Sequence, residues 1–300
     1  MLEYKKDTWK AVVSLAPTLI LMAVFTFWPI INAVRMSFMN NYSMTSGKFN
    51  GIGIDNYIKV LTDSTFLLAL KNTLLMVVIS VPLTIIIGLL IAVALNSIKK
   101  LQGVFQTIFF LPYVTNTIAL GLVFSTLFHR YDGLINKLFG TDISWIGSEA
   151  TWGSAMLVLT LYTVWNGLAF KIIVFLSGLQ SIDKQYYQAA QIDGASKWTV
   201  FKRITVPLLS PMILYITITS FIGAFKAYSS VIAIFNNGST SYGPKANPDL
   251  LITVVGYIYN KMYQPGWPLG EAAAASIILF FIIMLITLVQ TQVSKKRVHY

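Results

Sequence analysis

The sequence predicts an all-α membrane protein with six transmembrane helices, and three observations predict it. Hydrophobic residues make up 56% of the 300 and charged residues 11%, with a mean hydropathy of +0.68, whereas a soluble domain carries about a quarter charged residues. Six runs are long and apolar enough to cross the hydrocarbon core, which takes about 20 residues. The lysines and arginines sit between these runs rather than along one face. The net charge of +11 therefore points to membrane topology and not to nucleic acid.

The first run spans residues 11–36 and follows Lys5, Lys6 and Lys10. It is too long for the apolar part of a secretory signal. Trp28-Pro29 stands where a small-residue cleavage site would fall, so the run is expected to remain as an uncleaved anchor. The others span 72–95, 105–127, 155–179, 206–235 and 271–293. Apolar residues surround each run instead of forming one stripe, as lipid solvent requires. Pro17, Pro29, Pro82, Pro112 and Pro211 lie in or beside them. In a bundle, neighbouring helices re-satisfy the carbonyls that a proline frees. The expected organisation is a cytoplasmic N-terminus (1–10), a six-helix domain (11–293) and a cytoplasmic tail (294–300).

Loop charge sets the orientation. Twelve basic residues fall on one side: Lys5, Lys6, Lys10, Lys99, Lys100, Lys184, Lys197, Lys202, Arg203, Lys295, Lys296 and Arg297. Seven fall on the other, across longer loops: Lys48, Lys59, Lys71, Arg130, Lys137, Lys245 and Lys261. The richer side is cytoplasmic, and both termini lie there, as an even number of crossings requires. The external loops, 37–71, 128–154 and 236–270, hold turn residues such as Asn40-Asn41, Asn236-Asn237-Gly238 and Gly243-Pro244. The sequence has no cysteine and two histidines, His129 and His299. It contains no Walker-type loop, HExxH or GxSxG. Thiolate chemistry, a histidine-rich metal site and an intrinsic ATPase site are therefore not expected.

The cytoplasmic loop 181–205 reads as two short helices at an angle. Ser181 or Asp183 caps the first, and Gly194 ends it in a left-handed conformation. Ser196 caps the second, which Val206-Pro207 joins to the fifth run. Tyr186, Ala189, Ala190 and Asp193 fall on one side of the first helix, and Trp198, Phe201 and Ile204 or Thr205 form an apolar edge on the second. One reading is an interfacial helix resting on lipid headgroups. The other is a helix that docks into a groove on a cytoplasmic partner, which the small Ala189-Ala190 pair and Gly194 favour.

The segment resembles the EAA loop of bacterial ABC importer permeases. Gln188-Ala189-Ala190, Asp193-Gly194-Ala195 and Val206-Pro207-Leu208-Leu209 match its Glu-Ala-Ala, Asp-Gly-Ala and aliphatic-Pro in order and spacing. The family's glutamate is Gln188 here, which keeps a hydrogen-bonding amide and removes a charge. Gly53-Ile54-Asp55-Asn56-Tyr57, Asn72-Thr73-Leu74, Phe110-Leu111-Pro112-Tyr113, Gly178-Leu179-Gln180-Ser181-Ile182 and Ser220-Phe221-Ile222-Gly223-Ala224-Phe225-Lys226 resemble the sugar-importer branch, which includes the maltose transporter's larger permease. The resemblance implies a type I ABC importer permease fold with cytoplasmic coupling helices in a bacterial inner membrane. It implies a second homologous permease, two ATP-binding subunits and an extracytoplasmic solute-binding protein as partners. ATP and Mg would be bound by the ATPase subunits and no cofactor by this chain. The docking residues it implies are Tyr186, Gln188, Ala189, Ala190, Asp193 and Gly194.

The implied substrate is a di- or oligosaccharide, with glycerol phosphate or a polyol as the alternative. Polar and aromatic residues inside spanning runs are the candidates to bind it, because isolated polar groups are costly there. Thr163, Asn166, Gly167, Phe170 and Ser220 fall where the resemblance places sugar contacts, and Trp165 and Lys226 join them. Aromatic faces stack on sugar C–H surfaces while amides and hydroxyls bond the hydroxyl groups. Gly223 and Ala224 replace larger family side chains, so the pocket shape differs. Trp165 and Tyr162 also read as packing aromatics, and Thr163, Gly167 and Ser220 as close-packing positions. Lys171 and Lys226 either snorkel, pair with a partner's carboxylate or meet an anionic substrate. A stand-alone secondary transporter would show inverted repeats and intramembrane acids, and neither is visible. A membrane enzyme would have to rely on His129 and Asp132, which read as a solvated turn.

Overall fold

The computed structural model describes residues 4–42, 46–98, 100–235, 242–243, 247–263, 266 and 268–294. The turns at Asn236-Asn237-Gly238 and Pro244, together with Lys99, Lys245, Lys295, Lys296, Arg297 and His299, lie outside these residues. The described chain is helical, with one isolated antiparallel bridge between Met39 and Ile52. It divides into two compact units, Met1–Asp63 with Ile258–Phe280, and Ser64–Tyr257 with Phe281–Tyr300.

In order, the elements are α1 (Tyr4–Met22), a π turn (Ala23–Phe27), α2 (Trp28–Ser37), α3 (Asp55–Thr62), α4 (Ser64–Ser97), α5 (Gln102–Val114), α6 (Thr117–Leu127) and α7 (Leu134–Phe139). Then come α8 (Trp152–Ser181), α9 (Lys184–Ile192), α10 (Lys197–Val200), a second π turn (Phe201–Thr205), α11 (Val206–Leu208), α12 (Ser210–Phe225), α13 (Ser229–Phe235), α14 (Val254–Tyr263) and α15 (Leu269–Ser294). Among the described residues, four unbroken helices are long and apolar enough to cross a membrane: Trp9–Ser37, Ser64–Ser97, Trp152–Ser181 and Leu269–Ser294. Two bent pairs raise the count to six.

The third and fifth expected spans are not single helices. α5 and α6 meet at 97°, because Thr115 is extended and Asn116 restarts the helix as its N-cap, accepting from the N–H of Ile118 at 2.8 Å. Apolar content showed a crossing, and the cap inside it sets the bend. The run 206–235 breaks twice. It bends by 66° at Leu209, just before Pro211 in the first turn of α12, and it leaves helix at Lys226–Tyr228 before α13 begins. Both π turns precede a proline by two residues, with Trp28 N–H donating to Ala23 and Val206 N–H to Phe201. A proline clashes with the carbonyl four residues back, and a widened turn relieves that clash.

In the first unit, Asn56 is the hub. Its Nδ2 donates to the carbonyls of Ser37 and Met39, both at 3.0 Å, and it is 2% exposed. A Cβ at Gly270 would lie 2.5 Å from that Nδ2, so only glycine fits. Tyr57 Oη lies 2.7 Å from Ser37 Oγ. Lys261 joins Glu271 at 2.8 Å and Asp63 at 3.3 Å. Burial works against its ammonium, but the two carboxylates outweigh it and raise the pKa above the ordinary lysine value.

In the second unit, α8 packs along α4, with α12 against both. Ala92, Phe175, Leu176, Leu179, Leu209 and Ile216 form a core cluster among these helices. Gly178 makes room for it, since a Cβ there would stand 2.8 Å from Leu209 Cδ2. Asn72 ties the distant segment 250–254 down. Its Nδ2 donates to the carbonyls of Leu250 (3.1 Å) and Ile252 (3.0 Å), and its Oδ1 accepts from Trp152 Nε1 (2.8 Å). Thr73 Oγ1 accepts from Val254 N–H at 3.0 Å. The Asn72-Thr73-Leu74 and Gly53–Tyr57 resemblances are thus structural clamps, because a buried amide must find its partners.

Candidate functional site

A cavity of about 480 Å³ lies within the second unit, in the size range of small-ligand sites. α4 supplies Ser80 and Thr84, and α5 supplies Tyr113. From α8 come Thr163, Asn166, Gly167, Phe170 and Lys171, and from α12 Ser220. The non-helical stretch after α12 adds Lys226 and Tyr228. Irregular backbone in a spanning region is tolerated where it lines a cavity, and here the broken fifth span does so. Thr253 Oγ1 donates to the carbonyl of Ala227 at 2.8 Å, replacing a lost helical bond.

The aromatic wall is Tyr113 stacked on Phe170, with ring centroids 6.1 Å apart and planes at 22°. α8 also holds the bend of the third span in place. Asn166 Nδ2 donates to the carbonyl of Pro112 at 3.3 Å and Tyr162 Oη to that of Thr117 at 3.2 Å. Gly167 lets α4 come close, as a Cβ there would sit 3.2 Å from both Thr84 Cγ2 and Lys171 Nζ. Thr84 and Thr163 donate their hydroxyl protons to the carbonyls of Ser80 (2.6 Å) and Leu159 (2.8 Å), so they offer a ligand only acceptor lone pairs. Ser80 Oγ is buried and has no hydrogen-bond partner among the described residues. Trp165 does not line the cavity. It is 39% exposed and packs against Phe124, with centroids 5.4 Å apart.

The second candidate surface is α9 with the turn that follows. Asp183, not Ser181, is the cap, accepting from Gln185 N–H at 2.9 Å. Gly194 has φ +66°. Ala195 N–H donates to Ala190 at 2.9 Å and Gly194 N–H to Gln191 at 3.1 Å, which together form a Schellman ending. Ser196 caps α10, accepting from Thr199 N–H at 3.2 Å. Tyr186, Gln188, Ala189, Asp193 and Gly194 are exposed. Ala190 is not: at 6% exposure it faces inward with Tyr187, whose Oη lies 3.3 Å from Thr205 Oγ1. Ala190 lies one turn from both Tyr186 and Tyr187, so spacing allows it on either side; the expectation that it shares the outer side is corrected by its burial. Ile192 and Trp198 are 86% and 68% exposed, an apolar supplement to the outer face.

Between α6 and α8, Arg130 makes a two-pronged pair with Asp142, 2.9 Å on each arm, and a further bond to Glu149. The pairing raises the guanidinium's pKa and holds the Asp142 carboxyl below its ordinary value. His129 Nδ1 accepts from Asp132 N–H at 3.4 Å, a local turn rather than a reactive pair. Among the described residues, no three His, Asp or Glu side chains gather as a metal site.

Residues 84–299 match the family described as binding-protein-dependent transport system inner membrane component. The lactose transport system permease protein LacF of Rhizobium radiobacter is 31% identical over 94% of this chain and 93% of its own. This chain belongs to that family. The permease is also 31% identical to the arabinooligosaccharides transport system permease protein AraP of Bacillus subtilis (strain 168), over 93% of this chain and 86% of that one. Its fold matches a bacterial ABC transporter involved in the import of the acidic polysaccharide alginate, with TM-score 0.80, 22% identity and coverage of 97% and 96%. A bacterial alginate ABC transporter in complex with an alginate pentasaccharide-bound periplasmic protein matches with TM-score 0.82 and 23% identity. The protein is thus a multi-pass permease subunit of an ABC transporter, of the type I importer fold, and not itself an enzyme.

The cavity gathers Thr163, Asn166, Gly167, Phe170, Ser220 and Lys226 from the residues singled out in the sequence, and it excludes Trp165. Ser80, Thr84, Tyr113 and Tyr228 of this permease escaped the sequence reading. The usable signal was the hydroxyl pair Ser80 and Thr84, one helical turn apart inside the most apolar run.

Proposed function

We propose that this permease forms half of the membrane pathway of an ATP-driven importer for a di- or oligosaccharide delivered by an extracytoplasmic solute-binding protein. The cavity carries the reading: an aromatic wall beside amide and hydroxyl groups, set where a spanning helix breaks, suits a polyhydroxylated ligand. The sugar systems named for the relatives support it. A second, homologous permease completes the pathway. Two ATPase subunits, which hold ATP and Mg, dock on Tyr186, Gln188, Ala189, Asp193 and Gly194, with Ile192 and Trp198 as apolar anchors. Closure of the ATPases moves the capped α9 as a rigid body and shifts the permease between inward- and outward-facing states. Both termini face the cytoplasm, and α9 with them.

The test is purification and reconstitution. A tagged permease is expected to bring down a second permease and two ATPase copies, and the assembly with its binding protein should take up labelled oligosaccharide only with ATP. Uptake by this chain alone would overturn the reading. Orientation is checked with single cysteines, since the chain has none of its own. In intact cells an impermeant thiol reagent should label Glu149→Cys and leave Lys184→Cys unmodified.

A further inference from the structure

We infer that the saccharide accommodated by this cavity is anionic, carrying a carboxylate or a phosphate ester that Lys171 and Lys226 hold. The inference rests on the saccharide-import reading and names its substrate class. Both lysines line the cavity, and no carboxylate lines it among the described residues. Neither ammonium has a carboxylate or hydrogen-bond partner among those residues, whereas Lys59, Lys137 and Lys261 do have carboxylate partners. Lys171 is half-buried within α8, too far from either end of a 30-residue helix to be a simple end anchor. Its Nζ lies 3.2 Å from the place a Gly167 Cβ would take, so the chain folds back along the cavity wall and the glycine leaves the ammonium room.

The neutral groups agree with this charge. Ser80 is 1% exposed and its Oγ has no partner, so an uncommitted hydroxyl donor stands buried in the wall. The Thr84 hydroxyl proton is already used within α4. Two unpaired cations and a free donor without an acid among them suit a ligand that brings the negative charge with it, because charge-assisted bonds to an anion satisfy all three. A neutral sugar would leave the half-buried Lys171 ammonium uncompensated in a spanning region, with the exposed Lys226 beside the same cavity.

The complete transporter in nanodiscs, without its binding protein, is titrated with two matched pairs. The first is trigalacturonate against its methyl ester, and the second lactose 6-phosphate against lactose. The charged member of one pair should bind at least roughly tenfold tighter, and the pair that discriminates separates carboxylate from phosphate. Lys171→Met should abolish the discrimination and Lys171→Arg should retain most of it. Equal binding within both pairs, binding of none of the four, or discrimination that survives Lys171→Met would overturn the inference. So would loss of the permease–permease contact in Lys171→Met with recovery in Lys171→Arg, which would assign the ammonium to the partner subunit. Uptake of a neutral oligosaccharide that is unchanged in Lys171→Met would sink the anion and leave saccharide import standing. Failure of the complete system to import any saccharide, charged or neutral, would remove the import reading itself.

Discussion

In the α9 region every bond that shapes the surface comes from residues 183–205: the Asp183 cap, the Schellman ending at Gly194, the Ser196 cap and the Tyr187–Thr205 contact. The cavity draws its wall from α4, α5, α6, α8, α12, the break at Lys226–Tyr228 and the start of α13, and its polar groups are held by partners as distant as Pro112 from Asn166. The first region is locally complete and exposed. The second exists only when segments remote in sequence are assembled. In the proposed function α9 benefits from that independence because it moves as a body, and the cavity benefits from long-range construction because helix movements reshape it.

Substitutions should separate the two regions. The largest effect is expected from Gly167→Leu, which drives a side chain between Thr84 and Lys171. Overpacking of this kind costs about 1–3 kcal/mol, and uptake should fall by at least roughly tenfold while the ATPases still co-purify. Loss of ATPase association would show that the regions are not independent.

Next is Gly194→Val. Nothing lies within 4 Å of a Cβ there, so the penalty comes from the left-handed backbone alone, about 1–2 kcal/mol or roughly 5- to 30-fold in the ordered loop. ATP hydrolysis should uncouple from uptake while binding-protein docking persists. Gly194→Asn should keep most of the coupling, since asparagine visits that conformation. Equal defects in both variants would point to side-chain bulk and contradict the argument.

Asp183→Ala should remove about 1 kcal/mol from α9, read as faster amide exchange in 184–192 with the cavity helices unchanged.

The smallest effect belongs to Asp142→Asn. Arg130 depresses the Asp142 pKa below 3.8, so the pair's contribution is complete above the ordinary carboxylate value and lost as pH falls through the lowered one. The pair is exposed and salt-screened. Wild type should therefore melt slightly above the variant, with a constant gap above about pH 5 that closes in stronger acid.

The α9 surface was legible almost residue by residue, because caps, a left-handed glycine and helical spacing are local rules. Ala190 was misplaced because spacing defines faces and not which face is inward. The cavity was half legible. Polar residues in the fourth run stood out against lipid, but Thr163 and Ser80 look alike in a sequence, and only packing shows that one proton is committed and the other free. Trp165 carried the same signal as Phe170 and belongs to a different contact.

The membrane character, the four unbroken crossings and the ends of the short helices followed from the sequence by itself, since hydropathy and capping depend on neighbours along the chain. The clamps of Asn56 and Asn72 and the assembly of the cavity wall were decided by tertiary structure. The clamps depend on buried amides satisfied by other segments, and the wall on helices remote in sequence. The two lysines show the boundary most clearly: sequence placed them in spanning runs, and only the assembled wall put both on one cavity with no acid among its described lining residues.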